Sequence, residues 1–390
     1  MRPDQPVLIA GGGIGGLALA VALARRGVAA HVLERRAEFS EAGAGIQLSP
    51  NAVRVLQRLG IADALAAVVG VPEAIIMRHG ASGRTLQRLP LGVWIENRHG
   101  APYWMAHRRD LQAALLGAAQ DRPLIRISTN FDVAAIDTHD DARVCATSAA
   151  GHTVEGIGLI GADGVFSRVR GHLGHSAAPR FSGLTAARTV LTGDAAATVM
   201  DRDAVGVWLA PGAHVVHYPV RSARDLAVVV ITPATTADAG WALPISAPDV
   251  GASLAGFAPV LHDALGGATE WRRWALFELD QPARWSVGRV TLLGDAAHPM
   301  LPFLAQGAAL ALEDALVLAD QIAATTDIAS AFATYEALRM RRARAVVATA
   351  RRNGRIFHLD GLAAKARDIT LRLLPPQRVM ARYDWVYGWT

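Results

Sequence analysis

The sequence predicts an α/β fold: a parallel sheet covered by helices, interrupted by a β-rich insertion and closed by C-terminal helices. Three observations predict it. Val7–Ala10 is a short apolar run ending in glycines, followed by an Ala/Leu-rich stretch from Leu17 to Arg25 and a second apolar run, Ala29–Leu33. That order reads strand, helix, strand, the βαβ unit of a parallel sheet with helical covering. From Arg180 to Leu279 the texture changes to short strand-like runs, Val205–Leu209, Val215–Val220 and Leu226–Ile231, broken by Pro and Gly. Beyond them, helical periodicity returns at Ala308–Ala324 and Ala331–Arg352.

Between these landmarks, Arg109–Ala119 reads as a helix and Gly158–Ile160 as a strand running into a turn at Gly161. Pro233–Gly251 has little periodicity and several Pro, Ala and Gly residues, the pattern of a surface loop. Arg339, Arg342 and their neighbours punctuate the last long helix, and such an arginine stripe reads as a solvated face. The chain has 390 residues and 52% hydrophobic content, enough for a large buried core.

The formal net charge is +5, which raises the question of nucleic acid or anionic membranes. The arrangement answers against nucleic acid: Lys365 is the sole lysine, and the arginines are scattered among acids rather than gathered with aromatics. Cys145 is the sole cysteine, so no intrachain disulfide, CxxC pair or thiolate metal cluster is available, and no metal site is expected. Arg2 precedes an apolar stretch ending in Ala20-Val21-Ala22, the outline of a secretory leader. The glycines from Gly11 to Gly16 make it a strand and a tight turn instead, and no apolar run reaches the ~20 residues of a spanning helix. A cytoplasmic protein is expected.

Gly11, Gly13 and Gly16 form GxGxxG directly after the first strand. Glycine there lets the backbone turn tightly and approach a pyrophosphate at a helix N-terminus. Glu34 ends the second strand, where a carboxylate accepts hydrogen bonds from adenosine ribose hydroxyls, and Arg35 follows it. The fingerprint serves NAD(P) and FAD alike. Two more glycine–acid clusters distinguish them: Gly161-Ala162-Asp163-Gly164, followed by Ser167 and Arg170, and Gly294-Asp295-Ala296-Ala297-His298-Pro299. A dehydrogenase has no evident need of either.

With GxGxxG, the DG segment and the GD segment in this order and spacing, the chain resembles the class A FAD-dependent aromatic monooxygenases. The resemblance implies a Rossmann-like FAD-binding domain made of residues 1–72, 106–180 and 284–328, a substrate domain of 73–105 and 181–283, and a C-terminal helical segment, 329–390. It implies that Gly11, Gly13, Gly16 and Glu34 hold the ADP half of non-covalent FAD, with Arg108 also reaching the cofactor and Asp295 on the ribitol. A carboxylate suits a polyol because charge-assisted bonds fix one conformer. Asp163 stands between a cofactor-side role and a structural turn, and His298, inside GDAAHP, reads as scaffolding.

Pro302-Phe303-Leu304-Ala305-Gln306-Gly307-Ala308 leads into a helix, and amides at its start, with Pro302, Gly307 and Ala308, are expected along the flavin. A helix N-terminus stabilises the negative charge of a reduced flavin. The resemblance implies hydride transfer from NADH or NADPH, dioxygen addition at flavin C4a, and hydroxyl transfer from the hydroperoxide to a small aromatic substrate. The protein's share is positioning, exclusion of water and removal of a phenolic proton.

Alternation along Ala213–Val220 puts His214, Val216 and Tyr218 on one face and Val215 and His217 on the other. The segment is similar to the matching strand of the salicylate hydroxylase, 3-hydroxybenzoate 6-hydroxylase and 6-hydroxynicotinate 3-monooxygenase group, which implies catalytic roles for His214 and Tyr218. Glu41–Ala52 and Tyr383–Trp389 resemble the same group; in the former, Gln47 offers its amide to the flavin edge or the substrate, where some relatives carry histidine. Arg84, Arg188 and Arg221 each have the chemistry to pair with a ring carboxylate, and nothing in the sequence singles one out.

A flavin halogenase needs an active-site lysine, and Lys365 lies in the C-terminal segment, while Trp271-Arg272-Arg273-Trp274 has the wrong spacing for its tryptophan signature. The single cysteine excludes a disulfide reductase. Hydroxylation or epoxidation of a larger aromatic or isoprenoid compound, and FAD binding without turnover, remain as alternatives. Nicotinamide preference and oligomeric state leave no mark in the sequence.

Overall fold

The computed structural model describes residues 5–39, 45–138, 143–175, 177–192, 201–237, 242–268 and 270–390. Glu41, Ala42, Gly43 and Ala44 of the glycine-rich stretch lie outside the described residues.

Val7–Ala10 is buried on both faces and pairs in parallel with Ala30–Leu33 on one side and Gly158–Gly161 on the other. With Ile125–Ser128, Val290–Leu292 and an antiparallel edge, Ser286–Val287, they form a six-stranded sheet. The chain leaves Val7–Ala10 toward one neighbour and returns much later to the other. The crevice beyond the strand ends therefore opens at this topological switch point, where α/β sheets bind ligands. The helix Ile14–Ala24 is buried along nearly its whole length because the sheet and the Gly307–Ala324 helix cover opposite sides.

The second large sheet has eight strands, in the order Leu243–Ile245, Trp271–Glu278, Arg180–Thr192, Asp225–Pro233, Ala213–Val220, Ala204–Ala210, Ala74–His79 and Thr85–Pro90. One face packs Val215, Val228 and Val230 against Leu254, Leu261 and Trp271. Alternation turns His214, Val216, Val229 and Ile231 to the other face, toward the nucleotide-binding sheet. The C-terminal helices Ile328–Phe357, Gly361–Leu373, Pro376–Ala381 and Asp384–Tyr387 close the far side of that space.

Two expectations are corrected. Pro233–Gly251 is not simply a loop: Leu243–Ile245 pairs with Trp271–Arg273, and a helix, Ala247–Ser253, begins inside it. Ser246 caps that helix by accepting from the Asp249 amide, and Pro248 sits in its first turn where no N–H is needed. The arginine stripe is a solvated face only in part: Arg341 and Arg344 are exposed, but Arg339 and Arg342 turn inward. Arg339 is 1% exposed and bridges Glu313 and Asp314, and Arg342 reaches Glu313 at 2.7 Å.

Candidate active site

The glycine cradle is built by exclusion of side chains. Gly11 has φ of 111°, a left-handed conformation, and a Cβ there would collide with the Ala162 carbonyl. A Cβ on Gly16 would strike the Gly11 carbonyl, so helix and strand meet only through glycine. Gly13 differs: its dihedrals suit any residue and no atom lies within 4 Å of a Cβ built on it, because it faces open space. The Gly12 amide donates to Glu34 Oε2 at 2.8 Å and the Arg36 amide to Oε1 at 3.0 Å, fixing the carboxylate at the end of its strand.

Around this cradle lies a cavity of about 190 Å³ bounded by Gly11–Gly13, Glu34, Arg35 and Asp163. Asp163 Oδ2 accepts from the amides of Arg168 and Val169, at 2.8 and 3.2 Å, capping the Arg168–His172 helix. Its Oδ1 is buried with no hydrogen-bond partner among the described residues, and burial raises its carboxyl pKa.

A second cavity, of about 320 Å³, continues from Gly13 and Ala162 to the eight-stranded sheet. Arg108, Asp295, Pro302, Gly307 and Ala308 line it, together with Gln47, Arg188, His214, Val216 and Tyr218. Asp295 opens to this space yet is walled by protein, so desolvation raises its pKa while His298 and Arg108 pull it down. Beneath it the polypeptide is fixed by a buried network. Asp314 accepts from the Gly294 amide at 3.2 Å, from His298 Nε2 at 2.6 Å and from Arg339 at 2.7 Å. Asn51 donates to Gln306 and Glu313, holding the helix start beside Gly307.

Gln47 Oε1 accepts from Tyr103 at 3.0 Å, leaving its amide nitrogen without a partner among the described residues. Tyr218 donates to the Gly45 carbonyl at 2.7 Å, and burial pushes its pKa up to about 12, so the phenol stays protonated. His214 is 2% exposed; desolvation, then the neighbouring His358, lower its pKa to about 3. His217 lies on the opposite face, fully buried, with its pKa lowered to about 4 by desolvation.

The structure also separates the three arginines. Arg84 is exposed, and Arg221 pairs with Asp225 at 3.3 Å. Arg188 lines the cavity, stacks 5.0 Å from the Trp274 ring, and has no carboxylate partner among the described residues. A third, apolar cavity of about 220 Å³ shares Gln47, His214, Val216 and Pro302 with the second and reaches Tyr103, Phe303, Phe357 and Tyr387. Sequence reasoning gave no site role to Tyr103, Tyr387 or His358; the two tyrosines are marked by lining the third cavity, and His358 by its 2.7 Å contact with His214.

The FAD binding domain family matches residues 4–350. The chain belongs to that family, and FAD is its cofactor. It is 35% identical over 387 residues to 3-hydroxybenzoate 6-hydroxylase of Polaromonas naphthalenivorans, covering 99% of this chain and 96% of that one. It is 37% identical to the 3-amino-4-hydroxybenzoate 2-monooxygenase PtmB3 of Streptomyces platensis, covering 98% and 95%. Among solved structures, Klebsiella pneumoniae HpxO complexed with FAD and uric acid superposes with a TM-score of 0.86, at 27% identity, over 97% of this chain and 95% of that one.

The residues present fit FAD. The two cavities meet at Gly13, Ala162 and Gly164, so one slot runs from Glu34 past the helix N-terminus to Asp295. The orphaned Asp163 Oδ1 and the side-chain-free Gly13 suit a hydrogen-bonding ligand packed against backbone. No helix among the described residues is long and apolar enough to cross a membrane.

Proposed function

We propose that this protein is an FAD-dependent monooxygenase that uses NADH or NADPH and dioxygen to hydroxylate a small aromatic acid bearing a phenol, of hydroxybenzoate or hydroxynicotinate type. The observation that carries the reading is the shared cavity. Asp295 and the start of the Gly307–Ala324 helix face the same space as His214, Gln47 and Arg188. The names of the relatives support the substrate class.

Gly11, Gly13, Gly16, Glu34, Arg35, Arg108, Asp163 and Asp295 are assigned to the cofactor, with Pro302, Gly307 and Ala308 along its ring system. Bound FAD supplies reduction by the nicotinamide and activation of oxygen. Arg188 is assigned to the substrate carboxylate: a cation stacked on Trp274 without an acid is preorganised for a bidentate anion. Val216, Val229 and Ile231 give the ring an apolar seat and exclude water.

His214 is assigned to the phenolic proton, with Tyr218 and Gln47 positioning the ring. Its imidazole is neutral because desolvation penalises the cation. A phenolate beside it offsets that penalty while the proton is on the imidazole, so His214 can accept the proton in passing.

The test is NADH and NADPH oxidation by the FAD-loaded protein across hydroxybenzoates and hydroxynicotinates. Saturable stimulation by a phenolic acid, and none by the ring lacking its hydroxyl, is expected. No stimulation of either nicotinamide across the panel would overturn the substrate class.

A further inference from the structure

We infer that His358 is the outer half of a two-histidine relay that carries the substrate's phenolic proton from His214 to solvent. The inference rests on the assignment of His214 above. His214 Nδ1 and His358 Nε2 are 2.7 Å apart, a hydrogen bond between side chains 144 residues apart in the chain. The fold builds this contact deliberately on both sides: His358 caps the Ile328–Phe357 helix, and its carbonyl accepts from the Gly212 amide, in the turn just before the His214 strand.

The environment supports transfer rather than storage of charge. Phe303 and Phe357 meet the His214 ring edge-on at centroid distances of 5.5 and 5.4 Å, and Phe303 also meets His358 at 5.6 Å. A lasting imidazolium at His214 has no carboxylate beside it among the described residues and would be poorly solvated. His358 is half-buried, toward the outside of the same aromatic cage. The charged groups near it lie on the Gly361–Leu373 helix: Arg367, whose field disfavours charge on His358, and Asp368, which pairs with Arg367 at 2.8 Å and lies 3.9 Å from His79. A proton reaching His358 is therefore driven onward to water.

The transfer balances. At the start both rings are neutral, with His214 Nδ1–H donating to His358 Nε2 and His358 carrying its own proton on Nδ1. The phenol O–H bond breaks and its proton joins His214 Nε2. The Nδ1 proton of His214 passes to His358 Nε2, and His358 releases its Nδ1 proton to water. The products are a phenolate, two neutral imidazoles with exchanged tautomers, and one proton in solvent. His214 Nε2 has no partner among the described residues, which leaves it open to the substrate.

The experiment is stopped-flow proton release, read with a pH indicator, together with phenolate absorbance. The FAD-loaded enzyme is mixed with the hydroxybenzoate or hydroxynicotinate that binds it most tightly. His358→Ala should retain FAD and ligand affinity yet slow both signals by about 100-fold. Added imidazole should restore the rate saturably, and His358→Gln, which keeps a hydrogen bond to His214 without relaying a proton, should remain slow. Wild-type rates in His358→Ala, recovery in His358→Gln, or failure of imidazole to rescue would each overturn the relay. In the first case, a slow His214→Ala variant would leave the base assignment standing. No proton release by the wild-type enzyme, or wild-type rates in His214→Ala, would remove both.

Discussion

Arg339 Nε donates to Asp314 Oδ1 at 2.7 Å while Asp314 Oδ2 accepts from the Gly294 amide, so a buried guanidinium on one helix sets the backbone that carries Asp295. Arg339 also holds Glu313 at 2.6 Å, and neither acid is exposed. Removing one partner of a buried cluster leaves an uncompensated charge. Arg339→Ala is expected to cost about 3–5 kcal/mol in denaturant unfolding of the FAD-free protein. A loss below about 1 kcal/mol would show that Arg342 alone satisfies both acids.

Gly13 and Gly16 should respond differently to the same added methyl. Gly16→Ala forces a Cβ into the Gly11 carbonyl and should yield little folded protein. Gly13→Ala has allowed dihedrals and no neighbour within 4 Å, so stability should stay within about 0.5 kcal/mol of wild type. Its methyl enters the slot, and FAD affinity should fall at least about tenfold. Wild-type FAD affinity in Gly13→Ala, by flavin-fluorescence titration, would place the pyrophosphate elsewhere.

Arg188→Gln should raise KM for a phenolic acid by about 10- to 100-fold, the worth of a charge-assisted hydrogen bond. The matching phenol without a carboxylate should be unaffected, and FAD content unchanged. Equal losses for acid and neutral phenol would assign Arg188 to the cofactor instead of the substrate.

Stability should fall on acidification from about pH 6.5. His214 and His217 have folded pKa values of about 3 and 4 against an unfolded value near 6.5. Between those limits the unfolded chain binds protons that the folded chain refuses, so stability is retained above pH 6.5 and lost as pH drops, by up to ~1.4 kcal/mol per pH unit for each imidazole. Asp314, with its pKa lowered to about 2 against 3.8, adds a second loss below pH 4. Urea midpoints of the FAD-free protein that are flat between pH 7 and 5 would contradict the histidine assignment.

What was legible in the sequence follows from the range of the interactions. Gly11, Gly16 and Glu34 act on backbone within one βαβ unit, so local spacing carries their meaning. The His214 face followed from strand alternation and sits on the cavity wall. Arg188 did not stand out, because its role depends on facing Val229 across one strand pair and Val216 across the next, a register no local pattern encodes. Arg339 resembled a surface arginine because its acids lie on another helix. The helix at Ala247–Ser253 did leave a signal, Ser246 with Pro248 and Asp249, and the surrounding low periodicity hid it.

Oxygen transfer to the ring is tested by running the FAD-loaded enzyme with NADH or NADPH, the best-stimulating phenolic acid and ¹⁸O₂, and weighing the product. A ring hydroxyl carrying one ¹⁸O atom is expected, with product formed in step with nicotinamide oxidised. Nicotinamide oxidation that yields only hydrogen peroxide with every stimulating ligand, or a product whose new oxygen comes from water, would contradict oxygen transfer from dioxygen.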